Sequence, residues 1–165
     1  MSHALSARSI ALFAVLFTAA GISYGSSRAR IVPAKGEKLV FSRTYSTDFL
    51  KNHPLQQVKK TSLVLKNTKG LFTATWNATI RDIRTDEALD LAATGICKAR
   101  RANHVECNFD ASTGSVNLVA KSGGVLVSIP VGQGVLFSRE KDGIVHSELL
   151  LGADDDNNEF RLNVK

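Results

Sequence analysis

"LFTATWNATIRDI", residues 71–83, alternates along its length: Phe72, Ala74, Trp76, Ala78 and Ile80 fall on one side, and Thr73, Thr75, Asn77, Thr79 and Arg81 on the other. Successive side chains of a strand point to opposite faces, so this period of two predicts a strand with one buried face and one wet face. Upstream, "QVKKTSLVLKN" (57–67) puts Thr61, Leu63 and Leu65 on one face, and Asn67-Thr68-Lys69-Gly70 reads as the turn between the two strands. Before that, "KLVFSRTY" (38–45) aligns Leu39 with Phe41, and "STDFLKNHP" (46–54) reads as a helical turn capped by Ser46 or Thr47 and stopped by Pro54. Downstream come "GSVNLVAK", "GVLVSIPV", "GVLFSRE", "GIVHSELLL" and "EFRLNV", most of them parted by glycine-bearing turns. About 8–10 short strands so spaced predict an all-β fold, an antiparallel sandwich or a small closed barrel with one or two short helical turns.

Both cysteines of the chain sit in "TGICKARRANHVECNFD" (94–110). In the preceding strand Leu89, Leu91 and Ala93 run in phase with Gly95 and Cys97, and in the next one Val105 and Phe109 run in phase with Cys107. Two strands so phased bring Cys97 and Cys107 to one buried face, where they form a disulfide, as cysteines of an exported protein do. The hairpin then centres on Arg101-Ala102-Asn103, a three-residue loop whose last residue is expected in the left-handed region. A helix over "TDEALDLAATG", capped by Thr85 or Asp86 and stopped at Gly95, is the alternative for the first half. Metal and redox readings lack parts: His104 and Glu106 face away from Cys107, and neither C-x-x-C nor the P-C-x-x-C that accompanies H-x-E in zinc deaminases is present. Closing so short a loop contributes roughly 2–3 kcal/mol.

The first residues, "MSHALSARSIALFAVLFTAAGISYGSSRA", place Arg8 before a run from Ile10 to Ala20 that is apolar except for Thr18. A basic start, a short apolar core and small residues are the layout of a secretory signal peptide, here read as residues 1–25 with cleavage after Gly25; Ala20 and Ala29 are the other candidates. The apolar core falls short of the roughly 20 residues of a spanning helix. Residues 26–165 then form one all-β domain, ordered from about residue 36, that is periplasmic or secreted and not membrane-spanning once processed. Arg8 is the only charged residue of the first 25, so that domain carries 20 Lys/Arg against 15 Asp/Glu, a formal +5. Export makes nucleic acid an unsuitable partner for this basic surface and leaves an envelope protein or an anionic polymer.

Two further stretches bear candidate sites. Lys98, Arg100 and Arg101 cluster at the tip of the stapled hairpin, a rigid platform suited to partner contact. In "GADDDNNEF" (152–160), Asp154, Asp156 and Asn158 repeat the D-x-D-x-N opening of a calcium loop, but Glu159 stands where Gly is required and Lys165 where a bidentate Glu belongs, so no metal is expected there. His53 and His146 stand alone, and Asn77-Ala78-Thr79 is a glycosylation sequon only in a eukaryotic pathway. The chain has no G-x-S-x-G elbow, H-E-x-x-H, phosphate-binding loop or dinucleotide fingerprint, so it nominates no catalytic residue and no cofactor.

The layout resembles that of many small exported proteins of Gram-negative bacteria. Small β-barrel lysozyme inhibitors are similar in architecture, but where their Ser-Gly-x-x-Tyr type of loop has Tyr, "SGGVL" has Leu126. The expectation is a non-enzymatic binding or inhibitor-like module. A carrier barrel for a small apolar ligand, or an enzyme whose site is assembled in space, are the alternatives.

Overall fold

The computed structural model describes residues 29–81, 88–109, 115–141, 144–152 and 158–165. The elements in chain order are β1 (Lys38–Thr44), α1 (Thr47–Asn52), β2 (Val58–Thr68), β3 (Leu71–Arg81), β4 (Ala88–Arg101), β5 (His104–Phe109), β6 (Ser115–Lys121), β7 (Gly124–Ser128), β8 (Val135–Lys141), β9 (Ile144–Leu151) and β10 (Glu159–Val164). β1 to β7 meander up and down, β10 lies between β7 and β1, and the ring is complete because each neighbouring pair, β3–β4 included, is bonded. The fold is therefore a closed antiparallel barrel of eight strands, not a sandwich. The hairpin β8–β9 lies outside the ring and joins it at β4, through the pair Ala92–Ser138.

Eight twisted strands enclose a space that side chains can fill. The period-two positions of the sequence fill it: Leu63 and Leu65 from β2, Ala74, Trp76 and Ala78 from β3, Leu118 from β6, and Phe160 and Leu162 from β10 are all buried. Trp76 occupies the middle. Its ring centroid lies 5.2 Å from those of Phe137 and Phe160 and 6.0 Å from that of Phe109, at the tilted and edge-on angles that aromatic pairs prefer. Burying an indole N–H requires an acceptor, which Thr61 provides: Trp76 Nε1 donates to Thr61 Oγ1 (2.7 Å), and that hydroxyl donates to the Asn77 carbonyl (3.0 Å).

Local signals shape the connections. Ser46 caps α1, its Oγ accepting from the Phe49 N–H at 3.1 Å. Lys69 (φ 52°) and Gly70 (φ 91°) make the two-residue turn between β2 and β3, with positive φ at both positions as such hairpins need. The β4–β5 connection departs from expectation. Arg101 pairs with His104, so the loop is the two residues Ala102-Asn103, and the register break between Ala99 and Arg101 accommodates Arg100 as an extra residue. Lys69 alone among the described non-glycine residues has positive φ, so Asn103 is not left-handed. The helical alternative before Gly95 also fails where it is described: from Ala88 the chain is strand, with Leu91 and Ala93 buried. Gly95 has a packing reason, since a Cβ there would come within 2.4 Å of the Asn108 carbonyl oxygen.

The two ends of the barrel are covered differently. At one end α1 packs Phe49 and Leu50 against the core. At the other the segment 29–37 crosses the strand ends, with Ile31 fully buried, the Ala29 N–H donating to the Lys121 carbonyl (3.0 Å) and Asn67 Nδ2 donating to the Pro33 carbonyl (3.2 Å). Packed structure thus includes residues ahead of position 36, while residues 1–25 lie outside the described residues.

Candidate functional site

The stapled hairpin has an inner and an outer chemistry. Inside, Cys97 and Cys107 stand directly opposite each other in a disulfide with Cα atoms 4.0 Å apart, both buried in the core. Outside, Lys98 lies opposite Glu106, and Arg100 grips the same carboxylate with Nε and Nη2, each at 2.5 Å. The Arg100 hydrogen bonds hold the Glu106 carboxyl below its ordinary range. His104 Nε2 donates to Asn117 Oδ1 at 3.1 Å. Lys98, Arg100 and Arg101 are all exposed, as a contact patch requires, but Arg100 has a local counter-charge. His104 and Glu106 share the outer face, away from the disulfide.

The other sequence candidates are only partly described. Asp154 and Asp156 lie outside the described residues, and Asn158 accepts a hydrogen bond from the Ile129 N–H through its backbone carbonyl (2.8 Å). Among the described residues no three His, Cys, Asp or Glu side chains gather closely enough to hold a metal ion. His53 Nδ1 donates to the Phe49 carbonyl (2.8 Å) and its ring stacks on Phe49 with centroids 4.0 Å apart, which makes it a clasp for α1. The side chain of His146 lies outside the described residues.

What the strand registers do assemble is a polar row on the outer wall. Asn163, Ser42, Ser62, Asn77, Ala92 and Ser138 stand opposite one another in turn, across β10, β1, β2, β3, β4 and β8. One row along, Thr44 faces Lys60, Lys60 faces Thr79, and Thr79 faces Asp90, whose carboxylate accepts the Thr79 hydroxyl at 2.6 Å. Two clefts open along this band. One, of about 430 Å³, includes Lys60, Ser62, Asn77 and Thr79 in its lining. The other, of about 490 Å³, lies between β1 and β10 and is lined by Ser42, Arg43, Thr44, Arg161 and Asn163.

The second cleft has a structural origin. β1 and β10 pair only at Phe41–Val164 and Ser42–Asn163, so the barrel wall parts beyond that point. Arg43 bridges the parting: Nη1 donates to the Arg161 carbonyl at 3.5 Å, while the guanidinium carbon sits 4.5 Å from the Tyr45 ring centroid and 5.6 Å from that of Phe49. Such stacking orients a cation without neutralising it. Burial pushes the Tyr45 hydroxyl above its usual pKa of 10.0, and the Arg43 charge opposes that rise. Sequence reasoning missed both arginines. The one local signal was Arg43 itself, a charge in phase with the buried Phe41 and Tyr45. Arg161 is 118 residues away and looks like any outward-facing residue of β10.

Comparison with protein-family models, with curated proteins and with solved structures gives no match.

Proposed function

We propose that this protein is an exported, non-enzymatic binding or inhibitor-like module, periplasmic or secreted after loss of residues 1–25, which meets its partner with the outer wall of a disulfide-stapled barrel. The observation that carries this reading is the filled interior. Trp76, with Phe137, Phe160 and Phe109 around it, takes the space in which a carrier of this strand number would hold a ligand. The clefts at β1–β10 and at β2–β4 both open on the outside; polar side chains line the first, and Ala78, Leu91 and Ala92 join polar side chains in the second. A barrel wall held in register also presents those side chains with little entropy left to lose on binding.

Native mass spectrometry of the protein recovered from the periplasm of an exporting host tests this reading. The expected spectrum is an empty chain beginning at Ser26, two hydrogens lighter than the dithiol form. A co-purified small-molecule adduct that survives dilution and protects Trp76 fluorescence from quenching would replace the surface module with a carrier. A chain that keeps residues 1–25 would remove the export premise.

A further inference from the structure

We propose that the parting between β1 and β10 is an oxyanion site for the phosphate groups of an extended polyanion, a proposal that rests on the surface-module reading and gives it a ligand class. Arg43 and Arg161 line one cleft, and every other residue of its lining is a neutral donor: Ser42, Thr44 and Asn163. No carboxylate takes part in that lining. Among the described residues the Arg161 side chain makes no ion pair or hydrogen bond, and the Arg43 guanidinium meets only a carbonyl and two aromatic rings. Two guanidinium-bearing residues in a lining that holds no carboxylate raise the positive potential of the cleft and favour an anion there.

Geometry selects the kind of anion. Guanidinium groups bind tetrahedral oxyanions through paired N–H donors, and Arg43 is already held by Tyr45 and Phe49, so ordering it costs little on binding. Hydroxyl and amide donors at Ser42, Thr44 and Asn163 can serve the remaining oxygens. Lys60 continues the site: it stands opposite Thr44 on β2, so Arg161, Thr44 and Lys60 lie on three neighbouring strands spanning about 10 Å. A chain with several phosphates reaches both ends of that span, and a single ion does not. The lining is polar throughout, without the apolar side chains that a membrane-inserting surface would add.

Titration of the full mature protein with sodium tripolyphosphate at low salt, followed by amide NMR and calorimetry, tests the assignment. The expected result is saturable binding, with the largest shifts at Ser42, Thr44 and Asn163 and an affinity at least about tenfold above that for inorganic phosphate. Arg161→Gln and Lys60→Gln, both exposed and so compatible with folding, should each weaken binding about tenfold or somewhat less, and Arg101→Gln on the hairpin should leave it unchanged. The proposal is overturned by non-saturable binding, by shifts centred elsewhere, by equal losses in all three variants, or by binding to phosphatidylglycerol vesicles alone. Any of those results with an empty native mass removes this ligand and keeps the surface module. An internal adduct removes the module whatever tripolyphosphate does.

Discussion

The β4–β5 hairpin and the β1–β10 parting both gather cations, and they treat them in opposite ways. In the hairpin, near neighbours in sequence meet across a two-residue turn, and Arg100 finds Glu106 six residues on. At the parting, Arg43 and Arg161 are brought together from 118 residues apart, and no carboxylate comes with them. At the hairpin, the charge of Arg100 is met by a carboxylate from its own strand pair. Charge placed by ring closure keeps its field for something outside the chain.

Trp76 ties the two regions together, touching Phe109 on the hairpin strand and Phe160 on the strand at the parting. Trp76→Ala should therefore weaken both at once, with a loss of about 3–5 kcal/mol in urea unfolding. A loss below about 1 kcal/mol would mean that the interior does not depend on this ring. Next in size is the staple. Replacing Cys97 and Cys107 together by alanine should lower stability by roughly 2–3 kcal/mol and leave the tripolyphosphate isotherm of the folded protein unchanged. A matching fall in anion affinity would show that the regions are not separable.

Thr61 stands opposite Arg43, on the inner side of the wall beside the parting. Thr61→Val leaves the Trp76 N–H buried without its acceptor and should lower stability by about 1–2 kcal/mol, with an upfield move of the indole proton resonance. An unmoved indole proton would contradict the bond. The smallest effect concerns pH. The hydroxyl of Tyr45 titrates above 10.0 in the folded protein, so its contribution is complete below 10.0 and is lost as pH rises through the folded value. Tyr45→Phe should flatten the alkaline limb of the stability curve relative to the parent, and identical limbs would place Tyr45 in water.

Much of this architecture was legible because it is local. Period two marked the inward residues of β2, β3, β5 and β10, Ser46 announced its helix, and the phases of Leu91, Ala93, Val105 and Phe109 put Cys97 and Cys107 on one face. The helix considered before Gly95 and the left-handed Asn103 were mistaken because tertiary register overrode them: β3 claims the first half of β4, and the bulge at Arg100 shortens the loop. The choice of barrel over sandwich, the reach of Phe137 from β8 to Trp76 and the meeting of Arg43 with Arg161 all depend on which distant strands pair. No window of sequence contains both partners of such a pair, so its chemistry appears only once the ring is formed.

The position of β10 has a consequence for the history of each molecule. Synthesis delivers β1 to β7 first, as a curled but incomplete sheet whose β1 and β7 edges have no partner until β10 arrives. Closure pairs Phe41 of β1 with Val164 of β10, a contact between strands far apart in sequence, and contacts of that kind make folding slow. During the wait, two open strand edges are exposed to other unfinished copies. Damage to Glu159–Val164 would therefore act first on yield and aggregation during maturation, before any effect on the finished barrel could be measured.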